Sequence, residues 1–476
     1  MENNKIKIAV LGAGISGLAT AHWLNKDERY DVTVFEKNDE PGGSMVTINI
    51  NDYLIDFGPN SGLETTPLIR EIAEDVGLGE EMIYANDVAN KRYILRDNKL
   101  QELPTGPGAF LKSSLFSLKG KLRLMCEIFI PRSVEGVDES VYDFVKRRLG
   151  EEFADYAIDP FVSGVYAGNP HELCVKSAFP KVYDLEQKYG GLIKGMFLGA
   201  KERKQRKEKS KNYAKMFSFK NGMQSFPKAI ASQLGDRVKY GYTIDKISLA
   251  DSGYRVHHMK NREIGQDTFD LVVSTIPGYD IPEVMGDLDE NLNDNFQKLP
   301  YPKVKVLFVV FRKDQIKQPL DGFGFLIPSK EKKRFLGAIW TSTIFTNRAP
   351  EDYASFTLFT GGSRNTFDEK FTDEERQRLV LAEFKEVMGI EGPFVYLKEK
   401  TWDKAIPQYI LGYPEQESSF KYFEEMNKGV LLSGNYRGGI SVGDCVKYSK
   451  TVKERVDRLI EDKYIPRTNK LSESEI

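Results

Sequence analysis

The chain opens on Ile6–Leu11 (IKIAVL), an apolar run of strand length broken only by Lys7. It leads into Gly12-Ala13-Gly14-Ile15-Ser16-Gly17 and then into Leu18, Ala21 and Leu24, spaced for one face of a helix. A second strand, Val32-Thr33-Val34-Phe35, ends in Glu36. Strand patterns recur at residues 237–240 and 243–247, and at 269–276 (FDLVVSTI), where Pro277 closes a buried run. The last strand, at 429–435, ends in Gly434-Asn435 and is followed by Gly438-Gly439-Ile440-Ser441-Val442-Gly443 and a helix from about Asp444.

Two longer stretches interrupt this order. Residues 90–215 read as mostly helical, and 300–397 as strand-rich, with residues 304–311 its longest apolar strand. The pattern predicts an α/β protein: a Rossmann-like dinucleotide-binding domain interrupted by a mixed-sheet substrate domain and a mostly helical domain with a membrane-binding face. The expected division is 1–89, 218–290 and 398–476 for the nucleotide domain. Residues 300–397 with 90–105 make the substrate domain, and 106–215 the helical one. Length agrees, since 476 residues exceed what one core organises.

The glycines carry the first chemistry. In a strand–turn–helix, Gly12 permits the tight turn and Gly14 lets the backbone approach a pyrophosphate. Gly17 lets the helix pack close to the sheet, with its positive N-terminus aimed at the phosphates. Ala13, Ile15 and Ser16 complete the turn. Glu36, about 20 residues on, stands where a carboxylate meets ribose hydroxyls, with Lys37 beside it.

Composition narrows the reading. A formal charge of −2 gives no global basic footprint for nucleic acid. Cys126, Cys174 and Cys445 are few and distant, against a disulfide framework or clustered zinc. The four histidines lack metal-ligand spacing, so no metal site is expected. The first strand begins by Ile6, which leaves no room for a targeting peptide, and no apolar stretch of spanning length exists. The expected location is cytoplasmic, peripheral on the cytoplasmic face of a membrane. The cation run at 201–211 (KERKQRKEKSK) reads as a solvated helix end or disordered loop.

Pro41-Gly42-Gly43-Ser44 after the Glu36 strand, and Asp56-Phe57-Gly58-Pro59-Asn60-Ser61 after a further strand, resemble the continuation in FAD-binding amine-oxidase-type flavoproteins. That resemblance implies FAD rather than NAD, with Gly42, Gly43, Ser44, Gly58, Pro59, Asn60, Ile244, Asn435, Ile440, Ser441 and Val442 as further cofactor residues. The family's GGxxR pattern is broken by Val46, which removes one cationic contact to the cofactor.

Further motifs extend the resemblance: NKRYI at 90–94, IDPFVSG at 158–164, YAGNP at 166–170, PLDGFGFLIPSK at 319–330, GGSRN at 361–365 and GNYRGGISVG at 434–443. Through them the chain resembles the protoporphyrinogen oxidases over almost its full length. The resemblance implies FAD-dependent six-electron oxidation of a porphyrinogen, with O₂ reoxidising the flavin to give H₂O₂. By position, Arg92 would pair with a substrate propionate. Leu326, Ile339 and Phe359 would sandwich the tetrapyrrole, with Gly164 leaving room beside it. Hydride loss is flavin-centred, so no protein residue is assigned a catalytic role.

The expected partners are therefore a porphyrinogen, O₂, a membrane surface and a second copy of the chain in a homodimer. The membrane expectation rests on residues 110–130, where apolar groups interleave with Lys112, Lys119, Lys121 and Arg123.

Three other functions fit parts of the sequence. Coproporphyrinogen III oxidation is the same reaction on a substrate with four carboxylates. An amine oxidase would place a Lys near the flavin; Lys303 and Lys305 share a strand face by alternation, which reads as a solvent-facing stripe. A non-catalytic FAD-binding protein has Val46 as its one support.

Overall fold

The computed structural model describes residues 5–134, 136–205, 214–364 and 371–462, apart from the side chains of 200–205. Most of the 201–211 cation run, Asn365 of the GGSRN motif and the tail from Pro466 lie outside the described residues.

The nucleotide sheet has five parallel strands, in the order Val238–Tyr240, Tyr30–Glu36, Ile6–Leu11, Leu271–Ser274 and Val430–Leu432. Parallel strands covered on both faces need apolar residues at consecutive positions. Ile8 to Leu11 accordingly have no exposure. Ile8 and Val10 pack with Leu18, Trp23, Ile230 and Val446, which come from the helices Ile15–Asn25, Ser225–Leu234 and Val442–Glu461. Ala9 and Leu11 share the opposite core with Ile247, Tyr254 and Val256 of an antiparallel three-stranded sheet. The terminal helix begins at Val442, slightly before the expected Asp444, because Ser441 caps it by accepting from the Asp444 amide at 3.1 Å.

A second sheet of seven strands runs in the order Tyr396–Trp402, Val304–Arg312, Tyr353–Gly361, Gly337–Ile339, Gly324–Leu326, Tyr93–Arg96 and Lys99–Glu102. Its neighbours are antiparallel except Gly324–Leu326 with Tyr93–Arg96, which are parallel. The Tyr396–Trp402 strand carries this sheet past residue 397, where the sequence reading ends its substrate segment.

Alternation divides the sheet's two faces. Leu307, Val309, Phe311, Phe356 and Leu358 pack with Val380, Phe384 and Met388 of the Asp373–Met388 helix. A capping box at Thr372 and Glu375 starts that helix. On the other face Val304, Val306, Phe308 and Val310 meet Tyr53, Ile55 and Phe57.

Residues from Pro107 to Gln205 are mostly helical. The stretch expected as one amphipathic segment is two short helices, Pro107–Lys112 and Leu118–Met125, followed by a turn at Cys126–Phe129. The break follows from Ser117, whose hydroxyl accepts from the Gly120 amide at 3.0 Å and starts the second helix afresh. Beneath them a buried Glu127–Arg148 pair joins three elements. Glu127 accepts from the Leu192 and Ile193 amides at 2.7 and 3.1 Å, while Arg148 donates to the Ile130 carbonyl at 2.7 Å.

Candidate active site

The first part of the site is the groove above the Gly12 turn. Gly12 has φ +99°, and Thr275 Oγ1 steadies the turn by donating to the Leu11 carbonyl at 2.7 Å. A Cβ on Gly17 would lie 2.0 Å from the Gly12 carbonyl oxygen, so only glycine allows the helix this close. At Gly14 the situation is reversed. Its missing side chain leaves space in which the nearest protein atom is the Gly43 Cα at 3.9 Å, and no side chain caps the helix that starts there.

The 41–47 loop forms the other bank of this groove. The Gly42 amide donates to the Ala13 carbonyl at 2.9 Å. Gln224 stitches the loop together: its side chain accepts from the Thr47 amide at 3.0 Å and donates to the Pro41 carbonyl at 3.0 Å. Glu36, buried at the end of its strand, accepts from the Ala13 amide at 2.8 Å and from the Asn38 amide at 2.9 Å. Oε1 also accepts from the Asn38 side-chain amide at 2.7 Å, and with two lone-pair positions per oxygen the capacity left for a hydroxyl is on Oε2. A groove of bare backbone at a helix N-terminus, flanked by a buried carboxylate, fits the pyrophosphate and ribose of a dinucleotide.

The sequence-predicted cofactor residues border this groove unevenly. Gly58 abuts the loop so closely that a Cβ would meet the Ser44 carbonyl, and Asn60 donates to the Asp56 carbonyl at 2.9 Å. Asn435 accepts from Tyr409 through its carbonyl at 2.6 Å, ahead of Ile440, Ser441 and Val442 at the start of the terminal helix. Lys37 is exposed and pairs with Asp280 at 3.7 Å. Ile244 lies on the Thr243–Leu249 strand opposite His258. At Val46 the backbone carbonyl accepts from the Phe57 amide at 2.9 Å.

The second part of the site is one region of the large sheet. Leu326 is paired with Gly337, Gly337 with Phe359, and Ile339 with Gly324 and Thr357. Those pairings put Leu326, Ile339 and Phe359 on a single face. All three are half-buried, whereas Phe325, Ala338 and Leu358 on the other face are buried. Gly324, at φ +138°, lies on the same face; a Cβ there would stand 2.1 Å from the Ala338 carbonyl oxygen. The Asp159–Tyr166 helix forms the facing wall, and a Cβ on Gly164 would lie 2.3 Å from Leu326 Cδ2.

Arg92 precedes the Tyr93–Arg96 strand, with its guanidinium 5.6 Å from the Phe323 ring centre. It is accessible to solvent, yet burial lowers its pKa below the usual arginine value and no acidic group opposes the shift. A side chain lining an open recess combines these properties. Among the described residues Arg92 has no carboxylate partner. Arg96, on the same side of the strand, differs: it donates to Glu152 at 2.8 Å and lies 4.2 Å from the Tyr156 ring centre.

The solvent-facing lysine stripe holds at exposed Lys303 and is corrected at Lys305. Lys303 precedes the Val304–Arg312 strand and pairs with Asp403 at 3.1 Å. Lys305 is buried on the face opposite Leu326, ion-paired with Asp373 at 2.6 Å. Packing against the 373–388 helix, rather than solvent, sets its position.

Sequence reasoning passed over three participants. Thr275 lies in the 269–276 run and Gln224 in Gly222-Met223-Gln224, but their partners are more than 170 positions away. Asp56 forms a buried ion pair with Arg348 at 3.5 Å, and burial raises the Asp56 pKa despite that cation. Among the described residues no cluster of His, Cys, Asp and Glu suits a metal ion.

Strand–glycine–helix cradle, carboxylate and apolar recess together define a flavin-dependent oxidoreductase. The chain belongs to the flavin containing amine oxidoreductase family, whose model matches residues 15–452, and its cofactor is FAD. It is 33% identical over 469 residues to protoporphyrinogen oxidase 2, chloroplastic/mitochondrial, of Arabidopsis thaliana, covering 92% of this chain and 91% of that one. It is 26% identical to the coproporphyrinogen III oxidase of Staphylococcus aureus, covering 94% and 98%. A crystal structure of an Exiguobacterium protein matches at TM-score 0.78 and 22% identity, over 96% of this chain and 99% of that one, which shows the fold alone.

Proposed function

We propose that the protein oxidises protoporphyrinogen IX to protoporphyrin IX, losing six hydrogens overall while three O₂ become three H₂O₂. Arg92 carries this reading: an accessible guanidinium with no acidic partner among the described residues, beside the apolar face of Leu326, Ile339 and Phe359. A porphyrinogen has the complementary form, a broad apolar disc with carboxylates at one edge. Arginine binds a carboxylate through two parallel hydrogen bonds.

Bound FAD would supply hydride acceptance and reaction with O₂. Gly12, Gly14, Gly43 and the start of the Ile15–Asn25 helix would hold its pyrophosphate, and Glu36 its ribose. The terminal loop from Asn435 to Val442 would sit along the remainder of the cofactor. Leu326, Ile339 and Phe359 would orient the tetrapyrrole and keep water from the reacting bridge, so the chain contributes position and a dry pocket.

Oxidation of coproporphyrinogen III is the second reading, favoured by the names of the Staphylococcus aureus and Bacillus subtilis relatives. It calls for cations facing two further carboxylates. Arg96, the next cation on that side of the strand, is already engaged by Glu152. This favours the two-carboxylate substrate. Side-by-side turnover tests the choice: a higher kcat/KM for coproporphyrinogen III reverses it.

A peripheral membrane contact belongs to the same proposal. Leu118 (74% exposed) and Phe129 (78%) stand out from the helical region, with Phe197 (73%) on a helix packed against the Cys126–Phe129 turn. Exposed apolar surface beside Lys112 and Lys119 suits an anionic bilayer. No helix among the described residues is long and apolar enough to cross a membrane. Flotation with anionic liposomes should carry the protein upward; complete recovery in the soluble fraction rejects the contact.

A further inference from the structure

The Asp159–Tyr166 helix is tied to the large sheet at both ends. At its start, the buried Asp159 carboxylate accepts from the Ser329 amide at 2.7 Å and hydroxyl at 2.9 Å, and pairs with Arg364. Just past its end, Ala167 turns left-handed at φ 49°, and its carbonyl accepts from the Ser363 amide at 2.8 Å. Ser329 follows the strand that carries Leu326; Ser363 and Arg364 follow the strand that carries Phe359. Between these ties, Gly164 is pressed against Leu326.

We propose that Asp159, acting through Ser329 and Arg364, is a positioning residue that fixes how the Gly164 helix seats against Leu326, and so where Leu326 stands on the apolar face of the site. It does not touch the substrate. A flat ring system needs close contact with that face, and dispersion weakens steeply once a side chain on it is displaced by even about 0.5–1 Å. Charge-assisted hydrogen bonds to one buried carboxylate from the segments that follow two strands make a stiffer tie than neutral ones. The identity of the ligand on that face rests on the porphyrinogen reading, whereas the tie itself does not.

The test separates these two claims. Asp159→Ala should raise KM for protoporphyrinogen about tenfold with kcat within about twofold, the pattern of lost binding geometry. Arg364→Ala should do the same more weakly, and Asp159→Asn, which keeps an acceptor for Ser329, should recover part of the loss. Gly164→Ala should also raise KM, since its Cβ meets Leu326, but by a smaller factor in the Asp159→Ala background where the helix can give way. Multiplicative effects of the two substitutions, or an unchanged KM in Asp159→Ala, overturn the proposal. If the parent chain oxidises no porphyrinogen, the functional reading fails and hydrogen exchange still decides the tie. Asp159→Ala should speed amide exchange in residues 159–166 while leaving the Ile6–Leu11 strand protected. Equal exchange in that helix overturns it, and loss of protection in both segments means global unfolding, in which case Arg364→Ala gives the same reading.

Discussion

The Arg348 guanidinium lies 3.5 Å from the Asp56 carboxylate, and neither side chain has more than 1% exposure. Asp56 also accepts from the Met223 amide at 2.9 Å, and Arg348 donates to Ser218 at 2.6 Å. Asp56 directly precedes the Phe57-Gly58-Pro59 turn beside the nucleotide groove, whereas Arg348 follows the Ile344–Phe345 cluster against which Ile339 packs. One buried ion pair thus joins the turn beside the nucleotide groove to the cluster behind Ile339.

Removing one partner of such a pair strands the other in a medium that cannot solvate it. Arg348→Met should cost about 3–5 kcal/mol of stability. Adding Asp56→Asn should return part of that loss, because the stranded charge disappears. Denaturant titration of the single and double variants checks this; equal losses in both would mean that the charge pair is not the source.

Arg92→Ala should raise KM for protoporphyrinogen more than it lowers kcat, as expected for a contact remote from the reacting bridge. Loss of a charged hydrogen bond, about 1.5–3 kcal/mol, corresponds to roughly a 10- to 150-fold change. Steady-state kinetics settle it. An unchanged KM removes Arg92 from the site.

Glu36→Ala should weaken FAD binding by a comparable factor, because the buried carboxylate both offers acceptors to the ribose and holds the Ala13 amide in the turn. Flavin fluorescence during titration of the apoprotein measures the dissociation constant. Retention of parent affinity would place the ribose elsewhere.

How far such residues could be read from the sequence depended on range. The Gly12–Gly17 turn and Glu36 were legible because the strand, turn and helix that need them are contiguous. Leu326, Ile339, Phe359 and Arg92 were reached only through family resemblance. Their common face arises from pairings such as Leu326 with Ile94, more than 200 positions apart. The solvent-facing stripe held at exposed Lys303 and failed at Lys305 for a physical reason: alternation assigns a face but not what covers it, and a helix starting at Asp373 covers Lys305. The Asp56–Arg348 pairing carried no local signal, since two charges far apart in the chain look like surface residues until tertiary packing buries them.

His22 gives a pH dependence. It is buried on the Ile15–Asn25 helix, 3.0 Å from Gln233 and 3.1 Å from Asp75. Burial first, and Lys26 second, hold its pKa below the ordinary 6.5. In the window below pH 6.5 the unfolded chain therefore binds more protons at this site than the folded one, so stability rises with pH there. Thermal midpoints should climb between about pH 5 and 7, and His22→Gln should flatten that climb. An identical slope in the variant would assign the dependence to other groups.

The central claim is that this flavoprotein takes hydride from a porphyrinogen. The direct measurement is anaerobic mixing of the FAD-loaded protein with protoporphyrinogen IX, following flavin absorbance and porphyrin fluorescence together. The structure predicts that the flavin bleaches and porphyrin appears after O₂ is readmitted, with both changes slowed in Arg92→Ala at low substrate. A flavin that stays oxidised with protoporphyrinogen IX, yet bleaches with a primary amine, would contradict it.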